Sequence, residues 1–541
     1  MKKLLKYFFI IIALCNINYL HAQEDTDELK NIFNDAEYFL LSEDYKEALS
    51  AYLRVYRAIP ENANLNYRIG LCYLNIPCQK DKAIPYLEYA CDHISTRYTE
   101  SSFNETHAPF HSLFLLGTAY QIHNDFVLAK ATFNDYKQYL KVNDVYEIDF
   151  VDRQIQACEL AEKYMKEPVR VESVVLEDII PQVKPNYNPV MSANGEIIVY
   201  MTEERFYKAI WMVEKTENGW SEPVNITPQV QSDGDCYPTS ISNDGKVLYM
   251  VMLNNFGSDI YVSHFNENKW SPKEKLDKPV NSRFWETHAA ISGDGKTLYF
   301  TSNRRGGFGG LDIYRSELNE KGEWGDAINL GENINTPYNE ESPFIIEDGK
   351  ILYFSSQGHE GMGGFDVFKA YYQAEDKWSV PVNLGYPLNC TDDNLFFYPV
   401  EENRKALYAG VVNKDEKFAA IKEIRIRPVV KHDNVLLTGK LRTEDASLLS
   451  EDAFLLISNL DNKNTDSLWP DLETGKFSRE LKPGNYEVIA SAEGYETKKQ
   501  IINIPENYER SEINVNIALT PKEVSSGEYY VVKNILFDFN S

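Results

Sequence analysis

From Asp27 to about Glu167 apolar residues recur every three or four positions with few β-branched runs, a spacing that predicts amphipathic helices. In "LFLLGTAYQIHNDFVLAKATFNDY" (113–136) the small and aromatic residues Gly117, Tyr120, Ala129 and Phe133 stand at fixed offsets. "AEYFLLSEDYKEALSAYLRVYRAIP" repeats them with Ala36, Phe39, Ala48, Tyr52 and Pro60, and Gly70, Tyr73, Ala83 and Leu87 form a copy with a longer turn. Small residues at these places let paired helices approach closely, and a last helix, Val151 to Lys166, is predicted to cap the stack. From Val169 to Pro428 the pattern becomes short alternating runs of β-branched and aromatic residues. Four of them, "SANGEIIVY", "SNDGKVLYM", "SGDGKTLYF" and "IEDGKILYF", begin at a tight turn where glycine tolerates positive φ. Each is followed by a second strand ("AIW", "DIY", "DIY", "DVF") and a tryptophan strand at Trp220, Trp270, Trp324 or Trp378, the last three 54 residues apart. From Val429 to Pro521 short strands continue around "TGKF", "LKPGNYEV" and "AEGYE".

The helical offsets match the tetratricopeptide (TPR) pattern, which implies a groove for a partner. Its predicted lining in the best-matched repeat is His111, Phe114, Thr118 and Gln121, opposite Leu115 and Leu116. The four-stranded units resemble the WD40-like repeats (PD40 type) of TolB-type β-propellers. A fifth copy, "NLFFYPVEENRKALYAGV" (394–411) with "FAAIKEIRI", lacks a tryptophan strand. "VESVVLEDIIPQVKPNYNP" (171–189) aligns with "EPVNITPQVQSDGDCYP" (222–238), so the N-terminal segment is expected to complete the last blade of a five-bladed ring and remove its open edge. Residues 429–521 resemble the carboxypeptidase regulatory-like β-sandwich. "ILFDFNS" near the C-terminus resembles the first strand of the OmpA-like peptidoglycan-binding domain, whose wall-contacting residues fall beyond Ser541. Peptidoglycan binding is therefore expected only with that domain present.

"SNRRGGFGGLDIYRS" (302–316) raises the question of a phosphate cradle, but "SQGHEGMGGFDVFKA" (356–370) carries the same ending 54 residues on. The first two units have far less glycine there, so the expectation is an inter-strand hairpin, with Asp312 or Asp366 accepting backbone N–H groups.

Lys plus Arg number 55 against 82 Asp plus Glu, a net charge of -27, which opposes nucleic-acid or anionic-lipid binding by charge. Residues 1–22 read as a secretory signal, with Lys2, Lys3 and Lys6 before an apolar stretch and Leu20-His21-Ala22 before Gln23. Leu14 stands where a lipoprotein box has Gly or Ala before Cys15, so acylation is not expected. Beyond the signal no run of 18 apolar residues occurs, and no transmembrane helix is expected. Cys72, Cys78, Cys91, Cys158, Cys236 and Cys390 form no Cys-x-x-Cys pair and read as buried thiols, a bridge among the first three being the one that proximity suggests.

There is no Gly-x-Ser-x-Gly elbow, and His107 and His111 flank Pro109 without a zincin glutamate. "SGDGKTLYF" is reminiscent of the sialidase Asp-box but reads as a turn. No cofactor, metal or catalytic residue is identified. The expected organisation is thus a signal (1–22), TPR-like helical repeats (23–167), a five-bladed β-propeller (168–428), a β-sandwich (429–521) and a linker with a truncated OmpA-like start (522–541). This order resembles the periplasmic, outer-membrane-associated family of Bacteroidetes that includes PorE. That resemblance implies a non-enzymatic adaptor of a type IX secretion-like envelope complex, binding envelope proteins through the TPR groove and a propeller face. The alternatives are a propeller enzyme of glycosidase or peptidase type and a TolB-like translocation accessory.

Overall fold

The computed structural model describes residues 26–522 apart from 182–183, 206, 255–256, 347–348, 374–376, 403, 411–418, 427–433 and 506–510. The expected signal and OmpA-like strand lie outside the described residues. The chain forms two compact units: one runs to Tyr372 and takes in Asn383–Arg427, the other joins Gln373–Val382 to the chain from Pro428.

The first unit opens with seven helices: α1 (26–41), α2 (Tyr45–Tyr56), α3 (Ala63–Leu74), α4 (Ala83–Cys91), α5 (His111–Ile122), α6 (Phe126–Lys137) and α7 (Val145–Lys166). Asp44, Asn62 and Asp125 cap α2, α3 and α6 by accepting a backbone N–H from the first turn, as short polar side chains do. The glycines explain the close pairing. A Cβ on Gly70 would stand 2.5 Å from Leu87 Cγ, and one on Gly117 2.6 Å from Phe133 Cε1. The capping helix begins six residues earlier than its apolar pattern suggests, at Val145 rather than Val151. Arg68 and Glu37, both buried, form an ion pair at 2.9 Å, and Tyr52 donates to the same carboxylate.

Five antiparallel sheets follow. Their first strands are β2 (Asn186–Met191), β3 (Cys236–Ile241), β4 (Glu286–Ile291), β5 (Glu340–Ile346) and β6 (Tyr398–Glu401). These lie side by side in cyclic order, β2 by β3, β3 by β4, β4 by β5, β5 by β6, and β6 by β2. In the first two sheets the tryptophan segment and the Val-Asn or Glu-Lys segment after it pair separately with the third strand, so the fourth strand is interrupted. The fifth sheet takes its fourth strand from the N-terminal side: β1 (Val171–Val175) runs antiparallel to β7 (Ala420–Ile426), Val171 opposite Ile426 and Val175 opposite Lys422. This is the pairing that the missing tryptophan strand requires.

In the second unit two sheets enclose one apolar core that includes Leu437, Leu455, Val488 and Ile502. Val435–Thr443 pairs in parallel with Glu512–Asn514 and Ile517–Leu519, one strand broken near Val515. The 373–382 segment belongs here, its Val380 N–H donating to Ile501 O at 2.9 Å and Val382 lying in the core. None of the six described cysteines forms a disulfide, Cys72, Cys78 and Cys91 included; Cys72, Cys158 and Cys236 are buried, Cys91 and Cys390 half-buried, and Cys78 is exposed rather than buried. No described helix is long and apolar enough to cross a membrane.

Candidate functional site

The four predicted groove residues lie along α5; Gln121 is buried by the chain itself, whereas His111, Phe114 and Thr118 stay half-buried. The His111 ring stacks on Phe114 at 5.5 Å, and Phe114 packs on Phe133, Tyr136 and Phe150 of α7. Thr118 Oγ1 donates to Phe114 O at 3.0 Å. Gln121 is 1% exposed and its Nε2 donates to Met362 O, in the fourth sheet's glycine-rich hairpin, at 3.3 Å. Burial pushes the His111 pKa down. Over α1 and α3 the 92–110 loop does the same: Phe103 packs on Phe33 at 5.8 Å, and Tyr98 donates to Asn64 Oδ1 at 2.7 Å. On this face α7, the loop between α4 and α5, and Met362 occupy part of the expected groove, closing it at Gln121 and leaving His111, Phe114 and Thr118 half-buried. Periodicity on α5 carries no information about a hairpin so distant in sequence.

Met362 is fully buried within the helical core, and polar contacts surround it. Arg153 Nη1 donates to Gly358 O at 2.6 Å, Gln156 Nε2 to Glu360 Oε1 at 3.0 Å, and Tyr338 OH to Asp149 Oδ2 at 2.6 Å. The Arg153 guanidinium lies 4.7 Å from the Tyr338 ring centre, a cation–π distance. Lys80 pairs with Asp392 at 2.6 Å and Lys46 with Glu203 at 2.9 Å. The helical stack thus rests on the hairpin and lead-in loops of the first, fourth and fifth sheets.

The glycine-rich hairpins hold protein where a phosphate cradle would need space. Asp312 accepts the N–H groups of Phe308 and Gly309 at 2.6 and 3.0 Å, and Asp366 those of Met362 and Gly363 at 2.7 and 3.2 Å. A Cβ on Gly309 would strike the carbonyls of Thr336 and Tyr338, and one on Gly363 that of Thr391. The glycines therefore let each hairpin lie against the next sheet's lead-in loop. The Asp-box-like turn is also structural: Ser292 Oγ donates to Asp294 at 2.6 Å while accepting from Thr297 N, and this bonding pulls the Asp294 pKa down.

The acidic residues at the strand starts are spent in the same way. Glu286, fully buried, accepts from Ser282, Ser302 and Arg304; Glu340 accepts from Thr336 and Ser356. Asn281, Asn335 and Asn389 each cap the third strand of the preceding sheet by binding both the N–H and the C=O of Ile260, Ile313 or Val367. Their 54-residue spacing could have revealed them in the sequence.

A different cluster forms where the first strands converge. All five strands carry a register shift, and Asn188, His288 and Ser342 occupy the shift in β2, β4 and β5 with φ of 45°, 46° and 50°. Phe396, just before β6, has φ of 55°. Bulges re-aim side chains, and a bulky residue at positive φ is held there by its surroundings. The result is a meeting of side chains from three sheets: His288 and Tyr237, on adjacent sheets, lie 5.8 Å apart, and each reaches Phe396 of the fifth sheet, which adjoins neither, at 4.9 and 6.3 Å. His288 Nδ1 lies 3.4 Å from Glu341 Oε2. Burial pushes the His288 pKa down to about 3, so the imidazole is neutral; burial, then the nearby Asp393, pushes Glu341 up to about 7. No linear spacing in the sequence marks this cluster. Among the described residues no group of three or more His, Cys, Asp or Glu could hold a metal ion.

No family model and no curated protein matches this chain. Solved structures similar to it include TolB from Acinetobacter baumannii, 18% identical over 45% of this chain with a TM-score of 0.30. The alignment spans 56% of the length of that protein. A TolB from Agrobacterium tumefaciens is 12% identical over 58% of this chain and 97% of its own, also with a TM-score of 0.30. An α-L-arabinofuranosidase from Lactobacillus brevis is 12% identical over 48% of this chain and 95% of its own, with a TM-score of 0.31. Likeness of this degree carries no argument about function.

Proposed function

We propose that this chain is a non-enzymatic scaffold of a cell envelope, in which a TPR-like stack is latched to a closed five-bladed propeller and a β-sandwich follows. The cyclic order of β2 to β6, the completion of the fifth sheet by β1, and the meeting of Tyr237, His288 and Phe396 across the centre support the closed ring. Periplasmic placement beside the outer membrane, membership of a type IX secretion-like complex and attachment to peptidoglycan through an OmpA-like domain rest on the order of segments and the resemblance it carries. The observation that bears most on the scaffold role is the latch at Met362, which joins the two interaction folds and occupies the Gln121 end of the helical face. Phe308, the residue 54 positions before Met362, stays half-exposed, as does Trp285 on the lead-in loop of the same sheet. Loops of the third sheet are therefore the proposed partner surface. Crosslinking and pull-down from solubilised envelopes should recover a protein partner, and Phe308→Asp with Trp285→Asp should lose it without loss of thermal stability. Retention of the partner by the double variant would place the contact elsewhere; catalytic turnover of a glycoside or peptide substrate would overturn the non-enzymatic reading.

A further inference from the structure

We infer that the cluster at the convergence of the five first strands is a binding site for an organic cation, the guanidinium or alkylammonium head of a polypeptide side chain. This deepens the scaffold reading and rests on it. Glu341 supplies the anion. Among the described residues its one ion-pair partner is His288, and a neutral imidazole leaves the carboxylate uncompensated. The groups that face it share or lack charge: Asp393 from the lead-in loop of the fifth sheet is a second carboxyl whose pKa burial raises, and Tyr237 from β3 is a neutral phenol. Lys80 lies nearer to Asp392, with which it pairs at 2.6 Å, and its field acts on Asp393.

Two aromatic faces complete the arrangement. Tyr237 and Phe396 stand at 88° to each other with centroids 6.3 Å apart, two walls that attract a cation through the ring quadrupole. The buried Ser342 Oγ is without a hydrogen-bond partner. Ser342 holds in the register shift of β5 the position that His288 holds in that of β4. The Glu341 side chain remains 17% exposed, and Tyr237 and Phe396 are only partly buried, which leaves an approach from solvent. A hard metal ion asks for more oxygen ligands than these residues provide, whereas an organic cation needs one carboxylate and aromatic walls.

Isothermal titration of the whole chain with N-acetyl-arginine amide, N-acetyl-lysine amide and the uncharged N-acetyl-norleucine amide tests this. The two cationic probes should bind and norleucine should not. Affinity should rise about tenfold or more between about pH 5.5 and about pH 8, as Glu341 loses its proton. Glu341→Gln should remove both the binding and its pH dependence; if that variant does not fold, the pH profile of the natural chain still decides. Equal binding of norleucine, no binding of either cation, or affinity unchanged by pH would each overturn the inference. If the probes fail while the envelope partner is still captured, this site is wrong and the scaffold reading stands; if the probes bind and no partner is captured, the reverse holds.

Discussion

The amide of Gln121 donates to the carbonyl of Met362 across 241 residues of sequence, and this bond with its surroundings joins the helical stack to the sheets. Met362 is the apolar part of that joint. Met362→Ala should cost about 2–5 kcal/mol, the range for emptying a buried methionine site, and should separate one thermal transition into two. Phe308→Ala, at the equivalent exposed position, should change stability by about 0.5 kcal/mol or less. Differential scanning calorimetry distinguishes them, and equal effects would show that the latch does not depend on Met362.

Glycine at 309 is demanded by the carbonyls of Thr336 and Tyr338, not by a ligand. Gly309→Ala should cost about 3 kcal/mol, the upper end of overpacking, because backbone must move. Gly306, with φ of 94° and open space where a Cβ would stand, should cost only about 1 kcal/mol on the same change. Urea denaturation of the two variants gives the comparison.

The strand β1 closes the edge of β7. A chain beginning at Val169 keeps it, whereas a chain beginning at Asn186 leaves the β7 edge unpaired. The first should sediment as a monomer and the second should self-associate, because an open strand edge templates further pairing. Both lack the helical stack, so any difference between them belongs to β1.

Glu341 keeps its proton up to about pH 7 in the fold, against an ordinary value of 4.5, so the folded chain holds more protons between these values. Its contribution to stability is complete below pH 4.5 and is lost as pH rises through 7, by at most about 3 kcal/mol. His288, pushed down to about 3 from 6.5, acts oppositely: its contribution is complete above 6.5 and is lost as pH falls. Glu341→Gln should remove the first slope and leave the second, so thermal melts across this range should show the variant gaining stability from acid to neutral pH, a gain that the Glu341 slope offsets in the natural chain.

Local pattern was enough for the elements and for their repetition. Gly70 and Gly117 mark helix pairs because only a missing Cβ admits Leu87 and Phe133 so closely, and that requirement is written into each copy. The partner of β7 was also legible, since a repeat lacking its tryptophan strand must find one elsewhere. The glycine-rich hairpins declared themselves structural by recurring, and Asp312 and Asp366 bond as that reading required. What lay beyond reach was contact between residues far apart in the chain. Nothing in the amphipathic spacing of α5 reports that Met362 covers Gln121, because a helix presents the same face to a foreign peptide and to a distant hairpin of its own chain. The His288, Glu341, Tyr237 and Phe396 cluster arises because first strands of separate sheets converge and the register shift of β4 re-aims His288 toward Phe396, and a shift of register is a property of strand pairing. Sequence by itself determined which segments are helix, strand and turn, since those depend on neighbours a few residues away. Only the tertiary structure decided which faces are filled and which charges are left unpaired, since burial and the fields that shift a proton depend on what the whole fold brings together.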